Sequence, residues 1–240
     1  MCGAADVMVG HVWAHHAWKD ESRMKLSVIG CGYLGAVHAA SMASLGHDVV
    51  GIDVDADKIA KFSAGKAPFF EPGLDEILAE GLASGKLRFS TDFAEAADAD
   101  VHFIAVGTPQ RKDGYGADLT YVDSATHSLL PHLREGSLVV GKSTVPVGTA
   151  ERLAAIVAPS GAHLAWNPEF LREGFAIQDT VEPDRFVYGV ASDSRDEDTA
   201  TLDAVYADAL AKGMPRIVTD YPTAELVKVA ANSFLATKIS

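Results

Sequence analysis

The chain has 240 residues, enough for one large α/β domain or for one domain and the start of another. Its 48% apolar and 22% charged residues suit an ordinary globular core, and a net charge of −13 leaves no basic field for nucleic-acid phosphates. Two cysteines, Cys2 and Cys31, argue against a disulfide framework and for a reducing, cytoplasmic compartment; no apolar run approaches a membrane span.

Residues 1–23 read as an upstream extension without order. The segment lacks a basic start, and its histidines and tryptophans interrupt any apolar stretch, so it does not read as a convincing signal peptide. His11, His15 and His16 have no accompanying carboxylate or cysteine pattern, and no metal site is assigned. From Met24 onward, apolar runs alternate with amphipathic, alanine-rich segments. The strands are "KLSVIG", "DVVGIDV", "VHFIAVG", "SLVVGKS", "AHLAWN", "RFVYGV" and "RIVTD". Helical segments include "LGAVHAASMASLG", "DADKIAKFSAG" and "DEDTATLDAVYADALAKG". Such alternation predicts an α/β fold with a doubly wound, mostly parallel sheet covered on both faces. The pattern spans 24–220, and Tyr221-Pro222 then opens a final helix over 221–240.

Between the first strand and its helix lies Gly30-Cys31-Gly32-Tyr33-Leu34-Gly35, a GxGxxG. Asp53 follows Gly35 by eighteen positions, at the end of the next strand. A glycine triplet between strand and helix, with an acid at the next strand end, is the Rossmann dinucleotide fingerprint. Gly30 serves the tight turn, Gly32 the approach of a pyrophosphate and Gly35 close helix packing. Asp53 accepts ribose hydroxyls and repels a 2′-phosphate, which favours NAD over NADP. Cys31 is a small loop residue rather than a nucleophile. Val106, Gly107, Thr108 and Pro109 form a further strand-end loop, where Thr108 either meets the cofactor or only completes a turn. The same two readings hold for Thr144, and Gly148-Thr149 opens a helix.

In "WNPEFLREG", Asn167 suits an N-cap and Pro168 a first helical residue, which would set Glu169 and Glu173 on one face. Like charges at that spacing raise one carboxyl, useful to an acid or base; equally, both acids suit a helix N-terminus. On the last helix, Lys228 and Asn232 project from one face. Either the lysine snorkels, or the pair stabilises an oxyanion. Leu226, Val227, Val229, Phe234, Leu235 and Ile239 lie around most of that helix, which predicts burial on several sides.

Taken together, "MKLSVIGCGYLG", "GIDVDADKI", "APFFEPGLDEIL", "AVGTPQ", "KSTVPVGT", "NPEFLREGFAIQD", "PDRFVYG" and "ELVKVAANSFLATKIS" resemble the UDP-glucose/GDP-mannose dehydrogenase family over essentially all of 24–240. The resemblance implies two successive NAD-dependent oxidations at C6 of UDP-glucose to give UDP-glucuronate, through a cysteine-bound intermediate. It implies an NAD site at Gly30, Cys31, Gly32, Tyr33, Leu34, Gly35, Asp53, Lys58, Val106, Gly107, Thr108, Pro109, Thr144 and Glu173. Glu169 would be the acid/base, with Lys228 and Asn232 at the C6 oxyanion and Thr144 also among the catalytic residues. Phe170, Leu171 and Arg172 would line the nucleotide-sugar substrate beside Glu169, and the final helix would form a homodimer core. GDP-mannose or UDP-N-acetylmannosamine oxidation, or an NAD-binding module without catalysis, are the alternatives.

One departure stands out: the family's nucleophilic cysteine lies in a "GGxCxxKD" loop that this sequence lacks. The sequence therefore looks like the amino-terminal portion of such an enzyme, expected to bind NAD and, alone, not to complete the double oxidation.

Overall fold

The computed structural model describes residues 23–239. Cys2, His11, His15, His16 and, Arg23 apart, the expected extension lie outside these residues.

Eight strands form one sheet in the order β3-β2-β1-β4-β5-β6-β7-β8. They are β1 (Lys25–Ile29), β2 (Asp48–Ile52), β3 (Leu87–Ser90), β4 (Val101–Ile104), β5 (Leu138–Gly141), β6 (His163–Trp166), β7 (Phe186–Val190) and β8 (Arg216–Thr219). All neighbours are parallel except β6 and β7. The helices are α1 (Tyr33–Ser44), α2 (Ala56–Ser63), α3 (Leu74–Ala83), α4 (Thr120–Leu129), α5 (Thr149–Val157), α6 (Ala176–Val181), α7 (Arg195–Val205), α8 (Ala207–Ala211) and α9 (Tyr221–Ile239).

The strands read as continuous apolar runs because both faces are covered. Val28, Phe103 and Val140 enter one core with α1, while their neighbours Ile29, Ile104 and Val139 enter the other with α4 and α5. Alternation along each strand thus feeds two cores. The sequence reading finds seven strands and misses β3, a four-residue edge strand, "LRFS", that places Arg88 in solvent and has no apolar run.

The helix expected over 196–213 is two helices, broken at Tyr206. There the ring stacks on Phe186 at 4.4 Å and the hydroxyl donates to Asn167 Oδ1 at 2.7 Å. These tertiary contacts fix the residue off the helical path.

α9 begins as expected, with Pro222 in its first turn and the Asp220 carboxylate accepting from Thr223 N at 2.8 Å. It lies tightly on β7: a Cβ at Gly189 would stand 2.6 Å from the Ala224 Cβ. Burial is one-sided, which corrects the expectation from its apolar circumference. Tyr221, Ala224, Glu225 and Lys228 face the sheet, whereas Leu226, Val229, Phe234, Leu235 and Ile239 are exposed. Among the described residues, no helix is long and apolar enough to cross a membrane.

Candidate functional site

The strand order reverses between β1 and β4, and in an open α/β sheet a ligand crevice forms outside the carboxyl ends at that point. A cavity of about 400 Å³ lies there. Ile29 and Gly30 line it from the end of β1, Ile52 and Asp53 from the end of β2, and Val106 and Gly107 from beyond β4. Each glycine has a distinct physical task. Gly30 holds φ at +93°, Gly35 has room for no Cβ because one would stand 1.8 Å from the Gly30 carbonyl oxygen, and Gly32 leaves open space over the start of α1. Gly32 caps α1 with no side-chain hydrogen bond, so the first N–H groups stay available to an anion.

Asp53 is buried and well anchored. Its Oδ2 accepts from Cys31 N and Lys58 Nζ, each at 2.8 Å, and its Oδ1 accepts from Asp55 N at 3.0 Å. Its carboxylate thus joins the glycine loop to α2 and still lines the cavity. Cys31 is fully buried beneath the loop, and burial raises its thiol far above the ordinary range, so it stays protonated. Tyr33 points away from the cavity; its hydroxyl donates to Glu71 at 2.5 Å, and burial, then Glu71, push it up to about 12. Leu34 lies with the second group of residues below.

The β4 and β5 loops are tied together: Thr108 Oγ1 donates to Thr144 O at 2.7 Å, and Ser143 Oγ to Val106 O at 2.6 Å. Thr108, Pro109 and Thr144 thus sit on the same edge as the cavity without lining it. α5 starts at Thr149 after Gly148, as the sequence suggests.

The second group lies beyond β6. Residues 167–172 are not helical, which corrects the expected N-cap at Asn167 and the shared face of Glu169 and Glu173; a helix starts only at Ala176. The helical signals lose to side-chain acceptors, near and far. Leu171 N donates to Glu169 Oε2, Arg172 N to Asp179 Oδ2, and Gly174 N and Ala176 N to the two oxygens of Glu71. Gly174 at φ +85° turns the chain away from a helical path. Asn167 is buried, donating to Val187 O and accepting from Lys142 and Tyr206.

Glu169 finds a cation instead of Glu173: its Oε1 is 3.2 Å from Lys228 Nζ on α9. Lys228 is buried, and Phe170 is flanked by Lys228 at 5.4 Å and Arg185 at 4.5 Å from its ring centre. Arg172 is committed to Asp179 through Nε and both backbone and guanidinium contacts, Glu173 is exposed, and Asn232 is exposed one turn past Lys228. Lys228 and Asn232 are therefore not brought into one buried pair.

Three residues escaped sequence reasoning. Lys142, in "KST" after β5, is buried with Nζ 3.0 Å from Asn167 Oδ1, and desolvation pushes it down to about 8. Its neighbour His38 is fully buried and held neutral, first by burial and then by the Lys142 charge. A cavity of about 30 Å³ beside them has room for a water or two. Glu225 reaches from α9 to the start of α5, accepting from Gly148 N at 2.7 Å and Ala150 N at 2.6 Å, and so fixes the helix that carries Lys228. Glu71 is the third. A charged residue inside an apolar run was the one available signal for Lys142 and Glu225.

The glycine cradle, the uncapped start of α1 and the anchored Asp53 fit NAD, and no group of three or more His, Cys, Asp or Glu among the described residues is placed to hold a metal ion.

Comparison with known proteins agrees. The family model described as "UDP-glucose/GDP-mannose dehydrogenase family, NAD binding domain" matches residues 24–210. The chain is 44% identical over 223 residues to a UDP-glucose 6-dehydrogenase of Rhizobium meliloti (strain 1021), covering 90% of this chain and 51% of that protein. Among solved structures it is similar to a UDP-glucose dehydrogenase from the hyperthermophilic archaeon Pyrobaculum islandicum, with TM-score 0.82, 44% identity and coverage of 90% and 51%. It is also similar to a GDP-mannose dehydrogenase from Pseudomonas aeruginosa, solved as a ternary complex, with TM-score 0.83, 35% identity and the same coverage. The chain thus spans about half the length of the curated relatives it matches.

Proposed function

The chain belongs to the UDP-glucose/GDP-mannose dehydrogenase family, whose matched part is the NAD-binding domain, and we propose that it serves the oxidation of UDP-glucose at C6 to UDP-glucuronate. The observation that carries this reading is the Glu169–Lys228 pair, a carboxylate and a buried ammonium 3.2 Å apart beside Phe170. When bound, NAD supplies the hydride acceptor. Gly30, Gly32 and Gly35 would hold its pyrophosphate on the start of α1, and Asp53 with Lys58 its adenosine ribose. Thr108, Thr144 and Glu173 would border the nicotinamide side.

Oxidation of an alcohol builds negative charge on the C6 oxygen as its proton leaves. Lys228 would stabilise that charge, and Glu169 would accept or return the proton. Asn232 would add a neutral donor from the next turn. Phe170, held between two cations, and Leu171 would form an apolar wall for the sugar. A cysteine-bound intermediate would need a thiol that Cys31, buried under the glycine loop, does not supply at this site. Residues 24–220 would act as the NAD-binding unit, with α9 the start of a central helix. In the longer enzyme, the exposed side of α9 would meet its copy in a cytoplasmic homodimer.

GDP-mannose is the second reading, favoured by the fold match to the Pseudomonas enzyme. Ligand-observed NMR with UDP-glucose, GDP-mannose and UDP-N-acetylmannosamine in the presence of NAD separates them. The expected result is contact with the UDP-glucose glucosyl protons that Lys228→Met weakens. Preferential contact with mannosyl protons overturns the substrate assignment.

A further inference from the structure

Glu71 is 5% exposed, yet among the described residues it has no Lys, Arg or His within 4.0 Å. Its carboxylate instead takes three neutral donors: Tyr33 Oη at 2.5 Å, Gly174 N at 2.8 Å and Ala176 N at 2.8 Å. Burying a carboxylate on neutral donors alone is costly, so the arrangement calls for a reason beyond stability. The three donors come from two parts of the site. Tyr33 is the first residue of α1, directly after the Gly32 cap, so its backbone N–H belongs to the open set that faces an anion. Gly174 and Ala176 end the segment that begins with Glu169 and contains Glu173. The Tyr33 ring also packs on Phe69, at 5.1 Å between centres, two residues before Glu71. The other end of the segment is closed by Asp179, which accepts from Arg172 N at 2.9 Å.

We propose that Tyr33 and Glu71 are positioning residues through which NAD on the glycine loop fixes the 172–176 turn, and with it Glu173 and the Glu169 segment. A pyrophosphate held on the open start of α1 would meet the backbone of Tyr33, whose hydroxyl holds Glu71, and Glu71 holds the turn. Cofactor and substrate sides are thereby linked by side chains that touch neither NAD nor sugar. This coupling rests on the NAD reading above.

The test is amide hydrogen exchange, resolved by NMR, with and without saturating NAD. In the wild-type chain, NAD slows exchange at the glycine loop and also at Gly174 and Ala176. In Tyr33→Phe, which removes only the hydroxyl, saturating NAD still protects the glycine loop, while the added protection at Gly174 and Ala176 is lost. In Glu71→Gln at least one of those two amides exchanges faster even without NAD, by about fivefold or more, since a carboxamide cannot accept at both ends. Protection of the 172–176 turn by NAD that persists in Tyr33→Phe overturns the coupling and leaves the cofactor reading intact. NAD that changes exchange nowhere, the glycine loop included, overturns the cofactor reading and the coupling with it. If Glu71→Gln does not fold, the Tyr33→Phe comparison decides alone.

Discussion

The two ends of the sheet's carboxyl edge are built differently. At β1, β2 and β4 the polar groups converge on a cavity of about 400 Å³, and the glycines leave space where side chains would stand. At β6, β7 and α9 the polar groups satisfy one another: Glu169 with Lys228, Lys142 with Asn167, Glu225 with the start of α5. The neighbouring cavity there is only about 30 Å³. One end is open around a cavity, whereas the other sets a carboxylate and an ammonium in a closed network beside an exposed apolar helix face. At the first end the glycines and Asp53 fall within one βαβ unit, and Val106 and Gly107 from beyond β4 add to the lining. A site formed by side chains from separate elements depends on everything that holds those elements.

The sharpest break of the first end is Gly35→Ala. Its Cβ would stand 1.8 Å from a backbone oxygen, so α1 must shift, and a loss of about 3 kcal/mol is expected by urea denaturation, together with loss of NAD binding. A near-neutral result would mean that the loop is not packed as described.

Acid tests the core that both ends share. Burial lowers His102 from its usual 6.5 to about 4, and His38 and His47 are lowered too. Between those pH values the unfolded chain binds protons that the native state refuses, so stability present above pH 6.5 is lost as pH falls toward 4. For His102 alone the loss is about 3 kcal/mol. His102→Asn should flatten this part of the stability–pH curve, and an unchanged slope would show that the histidine is not held neutral.

Asp53→Ala removes the acceptor at the cavity and leaves Lys58 unpaired. NAD affinity should fall by about tenfold to a hundredfold in calorimetric titration, the worth of one or two hydrogen bonds to a charged group. The smallest effect is expected at the other end's open face. Leu235 is 55% exposed, so Leu235→Lys should change stability by no more than about 0.5 kcal/mol in dilute protein. A larger loss would show that this side of α9 is covered in solution, as the proposed homodimer requires.

The same contrast explains what the sequence could disclose. Gly30, Gly32, Gly35 and Asp53 were legible because strand, turn and helix follow one another directly, and local spacing records their geometry. Seven of the eight strands were legible because a sheet buried on both faces leaves unbroken apolar runs; β3, short and at the edge, leaves none. The segment from Asn167 to Glu173 was misread. Its local cap signals favour a helix, but Glu71, 103 and 105 positions away from the amides it holds, takes those donors. Glu225 likewise meets Gly148 across 77 positions. Nothing in a local window records such partners. The apolar residues of α9 were seen correctly, but which of them the sheet covers depends on the packing of Ala224 against Gly189.

The most direct test of the central claim is a paired calorimetric titration of the chain with NAD and with NADP. An anchored Asp53 facing the cavity predicts that NAD binds and that NADP, with a phosphate where the ribose hydroxyl would meet the carboxylate, binds at least about tenfold more weakly. Equal affinities, or no binding of either, would contradict the account.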